Sequence, residues 1–173
     1  SRYKLDVLVL EKGHDICAGA SKANSGMIHA GYDPIPGTNE AKFNAPGSKM
    51  MYEICDELDV PYEKSGTTVF ATDESGMKEL QKLEGFAREP PELYELQPNI
   101  GEDVKAVLWV PEGGITTPFS VTFALAENAY HNGVEFEKEA EVTAIEKHLG
   151  EDGTNWFEVK AGGKTYQSRI IIN

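Results

Sequence analysis

The run Leu5-Asp6-Val7-Leu8-Val9-Leu10, ended by the polar turn Glu11-Lys12-Gly13, constrains the fold most. It is nearly continuously apolar and of strand length, as expected of a parallel strand covered on both faces. Such a strand needs neighbours on both sides. At the other end Ile170-Ile171-Ile172 is again apolar and β-branched, one residue before Asn173. Ser1-Arg2-Tyr3-Lys4 reads as the last turn of a helix feeding the first strand. These ends are those expected of a chain truncated on both sides, and Val9, Leu10, Ile145 and Ile171 are expected in one sheet system.

The 173 residues, 40% hydrophobic and 26% charged, suffice for one ordinary core in one or two small domains. Lys and Arg total 16 against 29 Asp and Glu, a formal net charge of −13 that repels a phosphate backbone, so nucleic acid is not an expected partner. No apolar run reaches the ~18 residues of a membrane span, and no secretion signal follows Ser1. A cytoplasmic protein is expected, with peripheral membrane contact of the intact protein still compatible. Cys17 and Cys55 form no CxxC pair and no His/Cys cluster, so two reduced thiols and no metal are expected.

Residues 38–58 place Phe43, Met50, Met51, Ile54, Cys55 and Leu58 at helical spacing, with Pro46-Gly47 expected to kink or split the helix. Thr67-Thr68-Val69-Phe70-Ala71 reads as a strand. Asp73 can cap a short helix carrying Met77, Leu80 and Leu83. Residues 85–98, with Pro90-Pro91, read as connection, and 104–110 as a strand turned by Pro111-Glu112-Gly113-Gly114. Thr117, Pro118 and Asn132-Gly133 start and stop a helix whose apolar face is Val121, Ala124, Leu125 and Ala129. Strands are then expected at 134–136, 141–147, 156–160 and 165–173, with Gly162-Gly163 as a hairpin turn. The fold class is α/β, or α+β for the piece taken alone.

Chemistry starts at Glu11. A carboxylate at the carboxyl end of a dinucleotide-fold strand can bind both ribose hydroxyls of an adenosine, ~20 residues after a glycine loop that receives the pyrophosphate. A solvated turn acid is the bland alternative. Next comes Gly19-Ala20-Ser21-Lys22-Ala23-Asn24-Ser25-Gly26-Met27-Ile28-His29-Ala30-Gly31-Tyr32, whose small residues let backbone amides approach a planar ring and a diphosphate. This stretch is similar to the flavin-facing loop of FAD-dependent oxidoreductases of the D-amino-acid-oxidase superfamily. The branch it resembles is that of glycerol-3-phosphate dehydrogenase and L-2-hydroxyglutarate oxidase. Val9-Leu10-Glu11-Lys12 resembles that family's second strand and its ribose acid. Leu96-Gln97-Pro98-Asn99, Glu112-Gly113-Gly114-Ile115 with Pro118, and Glu141-Val142-Thr143-Ala144-Ile145 match further family segments in order.

The resemblance implies a partial Rossmann-like FAD-binding domain, residues 1–60 and 118–173, interrupted by part of a mixed-sheet substrate domain, residues 61–117. It implies that Glu11, beside Lys12, binds the ribose. Ser21, Asn24, Ser25 and Gly26 would lie along the diphosphate and isoalloxazine, and Val142 would meet adenine through its backbone. His29 either faces flavin or substrate or is a hydrogen-bonded structural residue, and no other catalytic residue is named. His14, His131 and His148 read as solvated, and Cys17 as a small, partly buried residue. Tyr32 and Trp109 are candidates for a pocket or for the core. Ala45-Pro46-Gly47 and a short 85–95 segment depart from the family pattern.

The implied activity is hydride transfer from a small anionic hydroxy substrate, of glycerol 3-phosphate or 2-hydroxyglutarate type, to FAD and on to an electron acceptor. An amino-acid oxidase of the same superfamily is the near alternative. A methyltransferase-like fold has no use for the loop ending at His29, and a non-catalytic interaction domain is the remaining class. The glycine loop would lie before Ser1, so this chain by itself is expected neither to retain FAD nor to turn over substrate. After incubation with excess FAD and desalting, the visible spectrum of the 173-residue chain should lack a stoichiometric flavin band.

Overall fold

A computed structural model describes residues 4–83 and 98–173. The expected helical turn at Ser1-Arg2-Tyr3, most of the 85–98 connection and Leu96-Gln97 lie outside the described residues. The fold is mixed α/β and falls into two compact units, Ser1–Ala23 with Phe119–Asn173, and Asn24–Pro118. The helix Asn39–Glu57, which the sequence partition groups with a cofactor domain, lies in the second unit.

In the first unit, β1 (Leu8–Leu10) pairs in parallel with β7 (Glu135–Glu137), in the register Leu8 to Glu135, Val9 to Phe136 and Leu10 to Glu137. The parallel sense agrees with the apolar run. The strand is shorter than that run, however, and Val9 stays 38% exposed, because β7 is its one strand partner among the described residues. Helix α3 (Pro118–His131) leads into β7. It stops where expected, with Gly133 at φ +86 and the Val134 N–H returning to the Ala129 carbonyl at 3.0 Å. Val121 is buried, but Leu125 is 45% exposed and belongs to the outer face.

A separate antiparallel sheet, in the order β10-β9-β8, combines β8 (Val142–Leu149), β9 (Asn155–Ala161) and β10 (Lys164–Ser168). The turn Gly162-Gly163 joins β9 to β10 with both residues at positive φ, +55 and +75, the two-residue hairpin geometry that two glycines permit. The single sheet expected for Val9, Leu10, Ile145 and Ile171 is therefore not formed. Val9 and Leu10 are in the parallel pair, Ile145 is in the antiparallel sheet, and Ile171 is in no strand. A β-branched run becomes a strand only where a neighbour accepts its backbone hydrogen bonds. Beyond Ser168 none does among the described residues.

The second unit begins with β2 (Met27–Ile28) and α1 (Asn39–Glu57). Thr38 caps α1, its hydroxyl accepting from the Ala41 N–H at 3.2 Å. The helix runs through Pro46 unsplit. Proline removes one N–H and leaves the carbonyl four residues back without its donor, and here Lys42 and residues 45–47 are all exposed, so water can serve that carbonyl. The buried stripe is also turned from the one expected. Cys55 is 1% exposed and Met51, Ile54 and Leu58 are half-buried beside it, while Phe43 and Met50 are 62% and 57% exposed.

Strands β3 (Tyr62–Glu63) and β6 (Gly114–Thr116), neither of them expected, pair with β2 in the antiparallel order β2-β6-β3. Strand β4 (Thr67–Ala71) pairs antiparallel with β5 (Ala106–Val110), and α2 (Glu74–Lys82) packs on them. As expected, Asp73 caps α2 by accepting from the Gly76 N–H at 2.7 Å. Ala71, Leu80, Leu108 and Val110 form the core, with Tyr32, Val69, Met77 and Leu83 against it. Leu108→Ala should cost about 2–5 kcal/mol in urea unfolding, whereas exposed Phe43→Ala should stay within about 0.5 kcal/mol. A reversed order would show that α1 faces the other way.

Candidate cofactor site

Each unit carries part of the expected site, built from its own residues. In the first, β1 delivers Glu11 at its carboxyl end, and the Gly13 N–H donates to Glu11 Oε1 at 2.6 Å. This bond bends the carboxylate back over the turn and fixes its direction. A carboxylate has about four acceptor positions, so one such bond leaves capacity for the vicinal hydroxyls of a ribose. The backbone of the turn is tied as well. Glu11 N–H donates to the Glu137 carbonyl, and Glu139 and Ala140 N–H groups donate to the Gly13 and Glu11 carbonyls, each at 2.9 Å.

Those bonds bring Ala140, which is buried, beside Glu11, and two residues later the chain opens β8 at Val142. Glu139 makes the bend with φ +56. The register shifts between Val142 and Ala144, and β8 is an edge of its sheet, so part of its backbone lies outside the ladder, the type of group that meets a base edge. The 137–140 bend thus sets Ala140, two residues before Val142, beside Glu11. Sequence reasoning missed that bend, since Lys138-Glu139 carries no turn signature. Lys12 and Ser21 are exposed.

In the second unit the stretch Asn24-Ser25-Gly26 enters β2. Asn24 Oδ1 accepts from the Gly26 N–H at 2.9 Å, the local bond that asparagine makes in turns. Gly26 has φ +71, and a Cβ there would collide with the Thr116 carbonyl oxygen. The backbone can approach Thr116 because residue 26 has no side chain. Asn24 and Ser25 are exposed, and His29 is half-buried immediately after β2. Small residues with Asn24 and Ser25 exposed leave room for a flat ring, so the residues present fit a flavin.

Other candidates divide differently. Tyr32 packs against the core, as the bland reading had it. Burial, then the charge of Asp33, raises its phenol pKa, against a lowering hydrogen bond with Thr67. Trp109 lies in β5 opposite Thr68. Cys17 and Cys55 are buried free thiols. His148 is not simply solvated: its ring stacks on Trp156 at 4.3 Å, and Nε2 is buried without a partner. Metal-ligating atoms of Glu146, His148 and Glu158 lie within 4.8 Å of one another. Lys160 Nζ stands 3.1 Å from Glu146 and 3.5 Å from Glu158, so an ammonium already compensates the two carboxylates. An open cavity in the first unit is lined by Ile16, Ala126, Glu127, Tyr130, His131 and Phe136, with no expected site residue among them.

The sequence profile of the FAD dependent oxidoreductase family matches residues 1–173. The chain belongs to this family. It is 40% identical over 184 residues to a glycerol 3-phosphate dehydrogenase of Caloramator mitchellensis, covering 100% of this chain and 37% of that protein. It is 31% identical over 151 residues to an L-2-hydroxyglutarate dehydrogenase of Escherichia coli, covering 82% of this chain and 35% of that one. Among solved structures, an L-α-glycerophosphate oxidase of Mycoplasma pneumoniae with FAD bound matches with a TM-score of 0.78 at 27% identity. That match covers 94% of this chain and 44% of the oxidase chain. The chain therefore spans well under half the length of these relatives.

Gly26→Ala should cost about 1–3 kcal/mol, since alanine meets both the left-handed backbone and the Thr116 oxygen. A melting temperature unchanged from wild type would show that the turn accommodates a side chain.

Proposed function

We propose that this chain is the part of an FAD-dependent dehydrogenase or oxidase in which residues 1–60 and 118–173 serve the cofactor and 61–117 the substrate. The observation that carries the reading is the Glu11 carboxylate, aimed by the Gly13 N–H at the carboxyl end of a parallel strand and backed by the 137–140 bend. In this reading Glu11, beside Lys12, binds the ribose of FAD, and the backbone at Val142 borders the adenine. Ser21, Asn24, Ser25 and Gly26 lie along the diphosphate and isoalloxazine. His29 is the candidate to face flavin or substrate.

Bound FAD supplies the hydride-accepting chemistry that no side chain offers. The chain's own residues bind and orient. Glu11 accepts from the ribose hydroxyls, and the Asn24 bond to Gly26 fixes the turn that lies beside the ring. The substrate is a small anionic hydroxy compound of the glycerol 3-phosphate type, oxidised at the carbon bearing the hydroxyl, with electrons passing on to an acceptor. The 40% identity with a glycerol 3-phosphate dehydrogenase favours this over the 2-hydroxyglutarate alternative, whose relative stands at 31%. Among the described residues no helix is long and apolar enough to cross a membrane, and a cytoplasmic location is part of the proposal.

In the intact protein Glu11→Ala should raise the FAD dissociation constant more than about tenfold, because the ribose loses two charge-assisted hydrogen bonds worth roughly 1.5–3 kcal/mol each. Flavin titration followed by fluorescence checks this. An unchanged constant would remove Glu11 from the site.

A further inference from the structure

We propose that Thr116 is a positioning residue for the turn Asn24-Ser25-Gly26, acting through a hydroxyl that locks three segments of the second unit. The inference rests on the reading that this turn meets the flavin. It concerns a side chain that carries no motif signal of its own.

Thr116 ends β6, the central strand of the β2-β6-β3 sheet, with β2 on one side and Tyr62 of β3 paired to it on the other. Its N–H donates to the Gly26 carbonyl at 2.9 Å, while Asn24 Oδ1 accepts from the Gly26 N–H. Both backbone polar groups of Gly26 are therefore held, one by each partner. The Thr116 carbonyl also fills the space beside the Gly26 Cα, so a displaced Thr116 displaces Gly26.

The position of Thr116 is in turn set by its side chain. Oγ1 donates to the Pro61 carbonyl at 2.9 Å and lies 3.9 Å from Cys55 Sγ. A hydroxyl has one proton to give, and Pro61 receives it, so the thiol is the donor in the second contact. The result is a directed chain from the Cys55 thiol near the end of α1, through the Thr116 hydroxyl, to the carbonyl that precedes β3. Valine has nearly the same shape and offers neither donor nor acceptor. Thr116→Val leaves the Pro61 carbonyl without this donor and the Cys55 thiol without this acceptor, and loosens β6 where it holds Gly26.

The test compares wild type, Thr116→Val and Thr116→Ser in the full-length FAD-loaded protein and again after flavin is stripped. Thr116→Val should raise the FAD dissociation constant about fivefold and shift the flavin absorption envelope, and should speed exchange of the residue 116 amide, which donates to the Gly26 carbonyl, in the stripped protein by a similar factor. Thr116→Ser, which keeps the hydroxyl, should restore all three. Wild-type behaviour of Thr116→Val overturns the proposal, as does a Thr116→Ser protein as altered as the valine variant. If Thr116→Val does not fold, Thr116→Ser decides alone, a wild-type flavin spectrum supporting the hydroxyl and a shifted one refuting it. If wild type binds no flavin, the flavin reading fails separately, and amide exchange still reports whether the hydroxyl holds the turn.

Discussion

The parallel pairing of Leu8, Val9 and Leu10 with Glu135, Phe136 and Glu137 is the contact on which the first unit depends. It joins segments separated in sequence by the whole of the Asn24–Pro118 unit. Closing so long a loop costs entropy, but the cost grows only logarithmically with length, so a large insertion can be carried between two paired strands. Glu11 gains its position from this pairing. It follows the last paired residue, and its own N–H adds one more bond to the Glu137 carbonyl.

The second unit solves a similar problem with shorter means. Strand β6 has β2 on one side and β3 on the other, and three residues suffice because Gly114 and Gly26 let neighbours close in. Side chains of α1 secure it further: Tyr52 Oη donates to the Glu112 carbonyl at 3.1 Å, and the Cys55 thiol meets Thr116. A turn built of small residues has few side chains with which to hold itself. Its stiffness is borrowed from the strand behind it.

The charge distribution has a local logic that the net charge of −13 hides. On the antiparallel sheet Glu146 and Glu158 stand opposite each other, a like-charge pair that would weaken the ladder, and Lys160 bridges both. The hydrogen bond to Glu146, then the charges of Glu146 and Glu158, raise the Lys160 pKa. Lys164 reaches Glu137 at 2.6 Å in the same way. These pairs are exposed and individually weak. They keep an acidic surface compatible with a folded sheet.

Local signals were readable wherever one or two residues dictate the backbone. Asp73 caps a helix because its oxygen reaches an N–H three residues on, and Gly162-Gly163 turns a hairpin because both residues sit at positive φ. The polar turn that follows β1 at Glu11 was legible for the same reason. The face that α1 buries was not. Apolar spacing selected Phe43 and Met50, but helical periodicity only says that a stripe exists, and what packs against the helix decides which stripe is covered. Nor could composition reveal β6, since Gly114-Ile115-Thr116 is a strand only because β2 and β3 arrive on either side. The sequence by itself determined the Asp73 cap, the glycine hairpin and the parallel character of β1, written in short-range chemistry, and, through resemblance, the family. The tertiary structure alone decided strand partners, the bend that sets Ala140 beside Glu11, and the Thr116 contacts, because each needs groups far apart in the chain to meet.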